Sequence, residues 1–384
     1  MSFWSGCARQ LRLDNDQTMN KLRWGILGAA RIARKNWKAI RHSGNSVVTM
    51  VASRDGNRAR RFVEDCQRQE PFERAPSVVD SYQKLIASPN VDAVYIPLPT
   101  ALRKQWVILA AKAGKHVLIE KPCAVTVTDL EDMLAACQKY RVQFMDGVMF
   151  MHNRRLEQLR AVLDDGNSVG PLRRITAHFS FLGAEDFFKK NIRVDGALEP
   201  LGCLGDLGWY CIRFALWAMK WQMPEEVTGR MLSRAGGSPD GLTVPTAFSG
   251  ELLFADGVSA DFHCSFLAEH HQWANLTGTK GYVRVPDFVL PFSGSGVSFE
   301  VNQVKSSIEC CDWRQVHAGR AFACVESGDN PATTQEANMF RNFSKQVLSR
   351  QINEEWGRMA LLTQRVVDAC LDSAVKRGIA VKPK

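Results

Sequence analysis

Hydrophobic and polar positions follow two different rhythms along the chain. Up to Gly147, short apolar runs recur between longer stretches with helical spacing. The runs are Leu22 to Leu27, Ser46 to Ala52, Ala93 to Ile96, His116 to Ile119 and Gln143 to Asp146. Most are nearly unbroken in apolar character, as a strand covered by helices on both faces requires, so they predict a parallel sheet. The stretches Ala30 to His42, Arg58 to Gln67, Arg103 to Ala113 and Thr128 to Tyr140 read as the covering helices. Alternation of this kind predicts a doubly wound α/β domain over residues 21–148.

Beyond Phe150 the rhythm changes. A helix is predicted over Arg155 to Asp164, a strand over Leu172 to Phe181 and a helix over Asp206 to Met219. Strands then follow one another. Phe248 to Phe254 and Val258 to Phe266 form a predicted hairpin, because Asp256-Gly257 supplies the positive φ values of a tight turn. A second turn at Gly278 to Gly281 precedes a strand at Tyr282 to Val285, and two helices close the chain, the first with a capping box from Thr333 to Glu336. Residues 149–384 are thus expected to form an α+β domain on a large, mostly antiparallel open sheet, its last helices returning to the first domain. The apolar positions Ala260, Phe262, Cys264 and Phe266 give that sheet a face which a helix or a partner must cover.

A chain of 384 residues with 45% hydrophobic content suffices for two such domains. The net charge of +9 raises the question of nucleic acid, but Lys and Arg are interleaved with Asp and Glu, which argues against it. Eleven cysteines without a CxxC pair fit reduced thiols and a cytoplasmic setting. The histidines His263, His270 and His271 lack a nearby carboxylate pair, so no metal site is expected. No run reaches the ~20 apolar residues of a membrane span. Residues 1–20 carry Arg9, Arg12, Asp14 and Asp16 rather than a signal sequence; a disordered leader is expected there, with Met19 an alternative start.

The first strand runs into Gly28-Ala29-Ala30-Arg31-Ile32-Ala33, a degenerate GxGxxG turn of the Rossmann type opening a helix. Only Gly28 keeps glycine; alanine is tolerable at position 30 if φ there is negative. Where an NAD site offers an acid after the second strand, this chain has Ser53-Arg54, a hydroxyl and a guanidinium suited to the 2'-phosphate of NADP. The alternative leaves Arg54 in solvent and gives the ribose to Asp55, with NAD as cofactor. The fourth strand ends in Glu120-Lys121-Pro122 at the sheet edge where doubly wound domains bind ligands. Further on, Asp206, Tyr210, Arg213 and Trp217 share one helical stripe beside an apolar one, so Asp206 and Tyr210 can reach one ligand.

Together with Tyr95-Ile96-Pro97-Leu98-Pro99, the approach Ala113 to Val117, Leu204-Gly205-Asp206-Leu207-Gly208-Trp209-Tyr210 and Gly278-Thr279-Lys280-Gly281, these residues give the chain a resemblance. It resembles the glucose-fructose oxidoreductase, inositol dehydrogenase and rhizopine-catabolism (Gfo/Idh/MocA) family from Leu22 nearly to the end. The resemblance implies hydride transfer between nicotinamide and a sugar, polyol or cyclic diol, with Tyr210 as acid/base, Lys121 assisting and Asp206 beside them. It implies cofactor contacts from Gly28, Ala30, Arg31, Ile32, Ser53, Arg54, Pro97, Leu98, Pro99, Thr100, Arg103, Glu120 and Lys121. Arg193 and His152 are implied substrate contacts, and a homodimer or homotetramer formed through the C-terminal sheet is implied as well. A nearby ammonium is expected to bring the Tyr210 phenolate within reach. Two departures stand out: Arg103 replaces a usual histidine and leaves a permanent cation near the crevice, and the glycine triplet before Asp206 is reduced to Gly202 and Gly205. A dinucleotide-sensing regulator of the same architecture is the alternative, though a sensor has no use for Lys121 paired with Tyr210.

Overall fold

A computed structural model describes residues 21–236, 241–294, 296–327 and 330–384; the expected leader lies outside the described residues. The first half comprises β1 (Leu22–Leu27), α1 (Arg31–His42), β2 (Ser46–Ala52), α2 (Gly56–Gln69), β3 (Ser77–Val79), α3 (Tyr82–Ala87), β4 (Ala93–Ile96), α4 (Thr100–Lys112), β5 (His116–Ile119), α5 (Val127–Lys139) and β6 (Phe144–Asp146). Its six strands lie in the order β3-β2-β1-β4-β5-β6, all parallel. The order reverses between β1 and β4, which opens a crevice at the carboxyl ends of those strands. Strands β4 and β5 are apolar because both faces are covered: Ala93, Val94, Tyr95 and Ile96 are all fully buried.

The second half comprises α6 (Arg155–Asp164), β7 (Leu172–Leu182), α7 (Glu185–Lys190), α8 (Trp209–Ala218), β8 (Glu226–Ala235), β9 (Val244–Leu253), β10 (Ser259–Ser265), β11 (Leu267–Gly278), β12 (Tyr282–Val285), β13 (Gly296–Glu309), β14 (Asp312–Ser327), α9 (Gln335–Leu348) and α10 (Glu355–Val375). Eight strands form one sheet in the order β14-β13-β12-β11-β7-β10-β9-β8, antiparallel except between β7 and β10. Asp256 and Gly257 do adopt positive φ, 59° and 71°, at the β9–β10 turn. The Gly278 amide closes the second predicted turn on the Gly281 carbonyl at 2.9 Å.

Several expectations are corrected. The helix predicted over Asp206 to Met219 begins instead as a π-helical turn over Leu204–Gly208 and continues as α8. All ten residues of α8 are buried, and Arg213 of its predicted polar stripe turns into the interior. Arg213 forms an ion pair with Asp146 at 2.6 Å, and both side chains are almost fully buried. The apolar face of β10 is covered by the chain's own π turn: a methyl at Gly208 would meet Cys264 and Phe262 within 3.4 Å. The cap of α9 is Thr334, not Thr333; its hydroxyl accepts the Ala337 amide at 3.2 Å.

The last two helices lie against the first sheet. Trp24 of β1 packs edge-on to Phe340 and tilted against Phe343, at 5.2 and 5.0 Å, and Ser46 bonds to Ser344 at 2.8 Å. The Val127 amide at the start of α5 donates to Asp368 of α10 at 2.8 Å. Among the described residues, no helix is long and apolar enough to cross a membrane.

Candidate functional site

Three turns of chain meet at the crevice. At the first, Gly28 holds φ +109°, a conformation closed to residues with a side chain, and an added Cβ would press on Leu98 at 3.1 Å. Ala30 has φ −78°, so alanine is accommodated there. Helix α1 starts with no side-chain cap and no acid in its first turn. Its open amides and dipole therefore suit an anion, and a pyrophosphate fits the turn. Arg31 and Ile32 lie exposed beside it.

Beyond the turn, a hollow of about 500 Å³ is lined by Ala29, Arg31, Arg34, Asp55, Arg58 and Arg61, among others. Arg54 is exposed nearby, while Ser53 is buried and its hydroxyl accepts the Asp55 amide at 3.2 Å. Asp55 is engaged as the cap of α2, accepting from the amides of Asn57 and Arg58 at 2.9 and 3.1 Å. Arg58, which the sequence reading passed over, donates to the Ala29 carbonyl at 3.2 Å. Its signal was its place one helical turn beyond Arg54.

At the exit of β5, Lys121 precedes a cis peptide to Pro122. Its Nζ donates to both the carbonyl and the carboxylate of Asp206, each at 2.6 Å. The second oxygen of Asp206 accepts from Arg193 at 2.7 Å. Burial pushes the Asp206 carboxyl up, but Arg193 and Lys121 outweigh it and hold the group down at about 2. The structure thus brings together Lys121, Asp206, Arg193 and Tyr210, whose ring lies 4.7 Å under the Lys121 ammonium.

Tyr210 departs from expectation. Its phenol is held well above the usual range, first by burial and then by the negative fields of Glu120, Asp206 and Glu336. Lys121 sits over the ring face and faces the Asp206 carboxylate, so the expected depression is not seen. The hydroxyl points at the Met149 thioether, 3.6 Å away, a weak acceptor. Phe150 and Phe179 flank the ring at 6.1 and 5.8 Å. Met149 and Phe179 carry no motif, and only the folded chain brings them here.

Glu120 is tied into a buried network: the Tyr95 hydroxyl donates to it at 2.5 Å, and Asn36 donates to both at 2.5 and 3.1 Å. Asn36 was legible as a polar residue within the buried stripe Ala33, Trp37 and Ile40 of α1. Thr100 is engaged with Glu199, its amide and hydroxyl donating at 3.0 and 2.6 Å. Arg103 is not the open cation that was expected. It is 4% exposed, and it donates to the carbonyls of Leu98 and Glu120, each at 2.6 Å, and to that of Pro122. Pro97 and Leu98 are buried and Pro99 half-buried along the same wall.

His152 lies in another hollow, about 530 Å³, whose lining includes Asp146, Arg213, Asn342 and Trp356 but not Lys121, Asp206 or Tyr210. Burial, then Arg213, pushes its imidazole down to about 4. The structure thus does not bring His152, the expected substrate contact, together with the Lys121, Asp206 and Tyr210 cluster. On the second sheet, His178 stacks on His263 at 5.2 Å and on Trp273 at 5.9 Å, with His271 tilted against it at 5.2 Å.

Residues 22–148 match the oxidoreductase family with an NAD-binding Rossmann fold, and residues 156–284 match the GFO/IDH/MocA C-terminal domain. Trans-1,2-dihydrobenzene-1,2-diol dehydrogenase of Bos taurus is 30% identical over 75% of this chain and 88% of its own. The dTDP-3,4-didehydro-2,6-dideoxy-alpha-D-glucose 3-reductase of Actinomadura kijaniata is also 30% identical, over 93% and 97%. Among solved structures, a 3-ketoreductase from Actinomadura kijaniata in complex with NADP and TDP-benzene superposes with a TM-score of 0.75 at 25% identity, over 92% of this chain and 98% of its own. An aldose-aldose oxidoreductase from Caulobacter crescentus, complexed with glycerol, shares the fold with a TM-score of 0.76 at 24% identity, over 94% and 99%.

Proposed function

The chain belongs to the GFO/IDH/MocA oxidoreductase family, and on that premise we propose that it is an NADP-dependent enzyme interconverting a hydroxyl and a carbonyl on a sugar, polyol or cyclic diol. The observation that carries this reading is the half-buried cluster in which Asp206 bridges Lys121 and Arg193 while Lys121 covers the Tyr210 ring. The dihydrodiol and dTDP-sugar relatives support the substrate class. Arg31, Arg54 and Arg58 beside the Gly28 turn support NADP, since guanidinium groups bind a phosphate that a carboxylate would repel.

The chemistry follows from the state of each group. A bound dinucleotide supplies or accepts the hydride. Tyr210, kept protonated by its surroundings, is fitted to give its proton to a carbonyl oxygen as the carbon is reduced, since the Met149 thioether binds the hydroxyl only weakly. Lys121, aimed by Asp206, donates a second hydrogen bond to that oxygen and steadies its developing charge. In the oxidative direction the same proton returns to Tyr210. We assign subunit pairing to the outer, polar face of the second sheet, where His178 stacks on His263 and Trp273 beside a tilted His271.

The test is Tyr210→Phe. Turnover should fall by a factor on the order of 10² or more, the usual worth of a positioned acid, with NADP affinity nearly intact. Unchanged turnover would remove Tyr210 as the acid.

A further inference from the structure

We propose that Arg103 is a positioning residue for Lys121, a buried guanidinium that fixes the direction in which the ammonium is presented. The proposal rests on the reading of Lys121 given above. Arg103 lies in the first turn of α4, 4% exposed. Its Nε donates to the Leu98 carbonyl, and its Nη1 to the carbonyls of Glu120 and Pro122. The last two belong to the residues immediately before and after Lys121. The first belongs to the segment leaving β4, which also packs on the Gly28 turn through the Leu98 side chain.

One planar group therefore joins both strand exits that wall the crevice, and it grips the chain on either side of Lys121. The guanidinium has a rigid fork of donors, so satisfying three carbonyls at once fixes their relative positions. A lysine at the same place has one nitrogen and cannot serve Leu98 and Pro122 from one rigid frame. None of these three partners is an acid; the acceptors are peptide carbonyls. What the arrangement secures is geometry: the Lys121 Nζ meets both acceptors on Asp206 at 2.6 Å while lying over Tyr210.

Misplacement of such a group by about 1 Å is enough to cost roughly 10²-fold in rate. Arg103→Met is therefore expected to lower kcat by about 10- to 100-fold, with substrate KM and NADP Kd held within about 3-fold. Arg103→Lys should fall between it and the native enzyme. If Arg103→Met does not fold, Arg103→Lys is judged by the same split between kcat and KM. A kcat equal to the native value overturns the proposal, as does a loss of NADP affinity as large as the loss of kcat, which would make Arg103 a cofactor residue. Lys121→Met is assayed alongside. Full turnover by that variant removes the reading of Lys121 and this proposal with it. An inactive Lys121→Met beside an unimpaired Arg103 variant overturns the positioning role alone.

Discussion

Arginine serves three separate ends around this crevice, and the surroundings of each residue decide which. Arg54 is exposed beyond the end of β2, Arg193 is paired with a carboxylate, and Arg103 is buried among carbonyls. Only the first, which also bonds to the Tyr82 phenol, is exposed and without a carboxylate or carbonyl partner among the described residues. Arg54→Ala is expected to weaken NADP by about 10-fold or more, the loss of a charge-assisted hydrogen bond, while leaving NAD binding nearly unchanged. Titrating both nucleotides against the variant checks this, and equal weakening would assign the ribose end to other residues. At this scale the sequence was informative where a motif fixes spacing. Lys121, Asp206 and Tyr210 were singled out by the family resemblance; a strand exit and a helical stripe alone do not show that they meet. Met149 was not singled out, because the contact with Tyr210 joins residues 61 positions apart. The acidity of Tyr210 was misjudged for a related reason: burial sets it, together with neighbouring Asp206 and with Glu120 and Glu336 from distant segments.

Helix α8 shows what an element adds to its residues. Periodicity predicted a polar stripe toward a crevice, yet every position of the helix is enclosed. The reason is Arg213, whose charge is met inside the protein by Asp146 of β6 and by Thr363 of α10 at 2.6 Å. A buried pair of this kind is sensitive to the loss of one member. Arg213→Met should destabilise the fold by about 3–5 kcal/mol in urea unfolding, because Asp146 is left as an uncompensated buried charge. Replacing Asp146 with Leu in the same chain should recover most of that loss, since two apolar side chains leave no charge behind. A double variant no more stable than the single one would show that the pair holds α8 by more than charge. Strand β3 and helix α3 were not anticipated for the opposite reason: β3 has three residues, none of them buried, too little to set a rhythm.

For the whole molecule, the strands and helices of the first half could be read in order apart from β3 and α3, since each buried strand announces itself as an apolar run. The second sheet was harder. The outer parts of β13 and β14, from Lys305 to Arg320, are exposed throughout, so no alternation marks them. The sheet's outward face likewise carries Arg174, Glu251 and Asp261 in place of an apolar patch. Pairing through that face would bury the stacked His178 and Trp273, whose rings lie 5.9 Å apart and nearly parallel. Sedimentation should therefore find a dimer or a multiple of it, and Trp273→Glu should shift it to the monomer. A variant of unchanged mass would place the contact elsewhere.

The return of α9 and α10 to the first sheet means that linear order and spatial neighbourhood disagree. Trp24 and Ser46, near the start of the described chain, meet Phe340, Phe343 and Ser344 near its end. A nucleotide-binding half severed after β6 would leave Trp24 and the flank of β1 bare to water. Anyone exchanging cofactor modules between relatives would accordingly have to transplant two separate stretches of the gene, and a fragment carrying only the first should come out of the cell as aggregate.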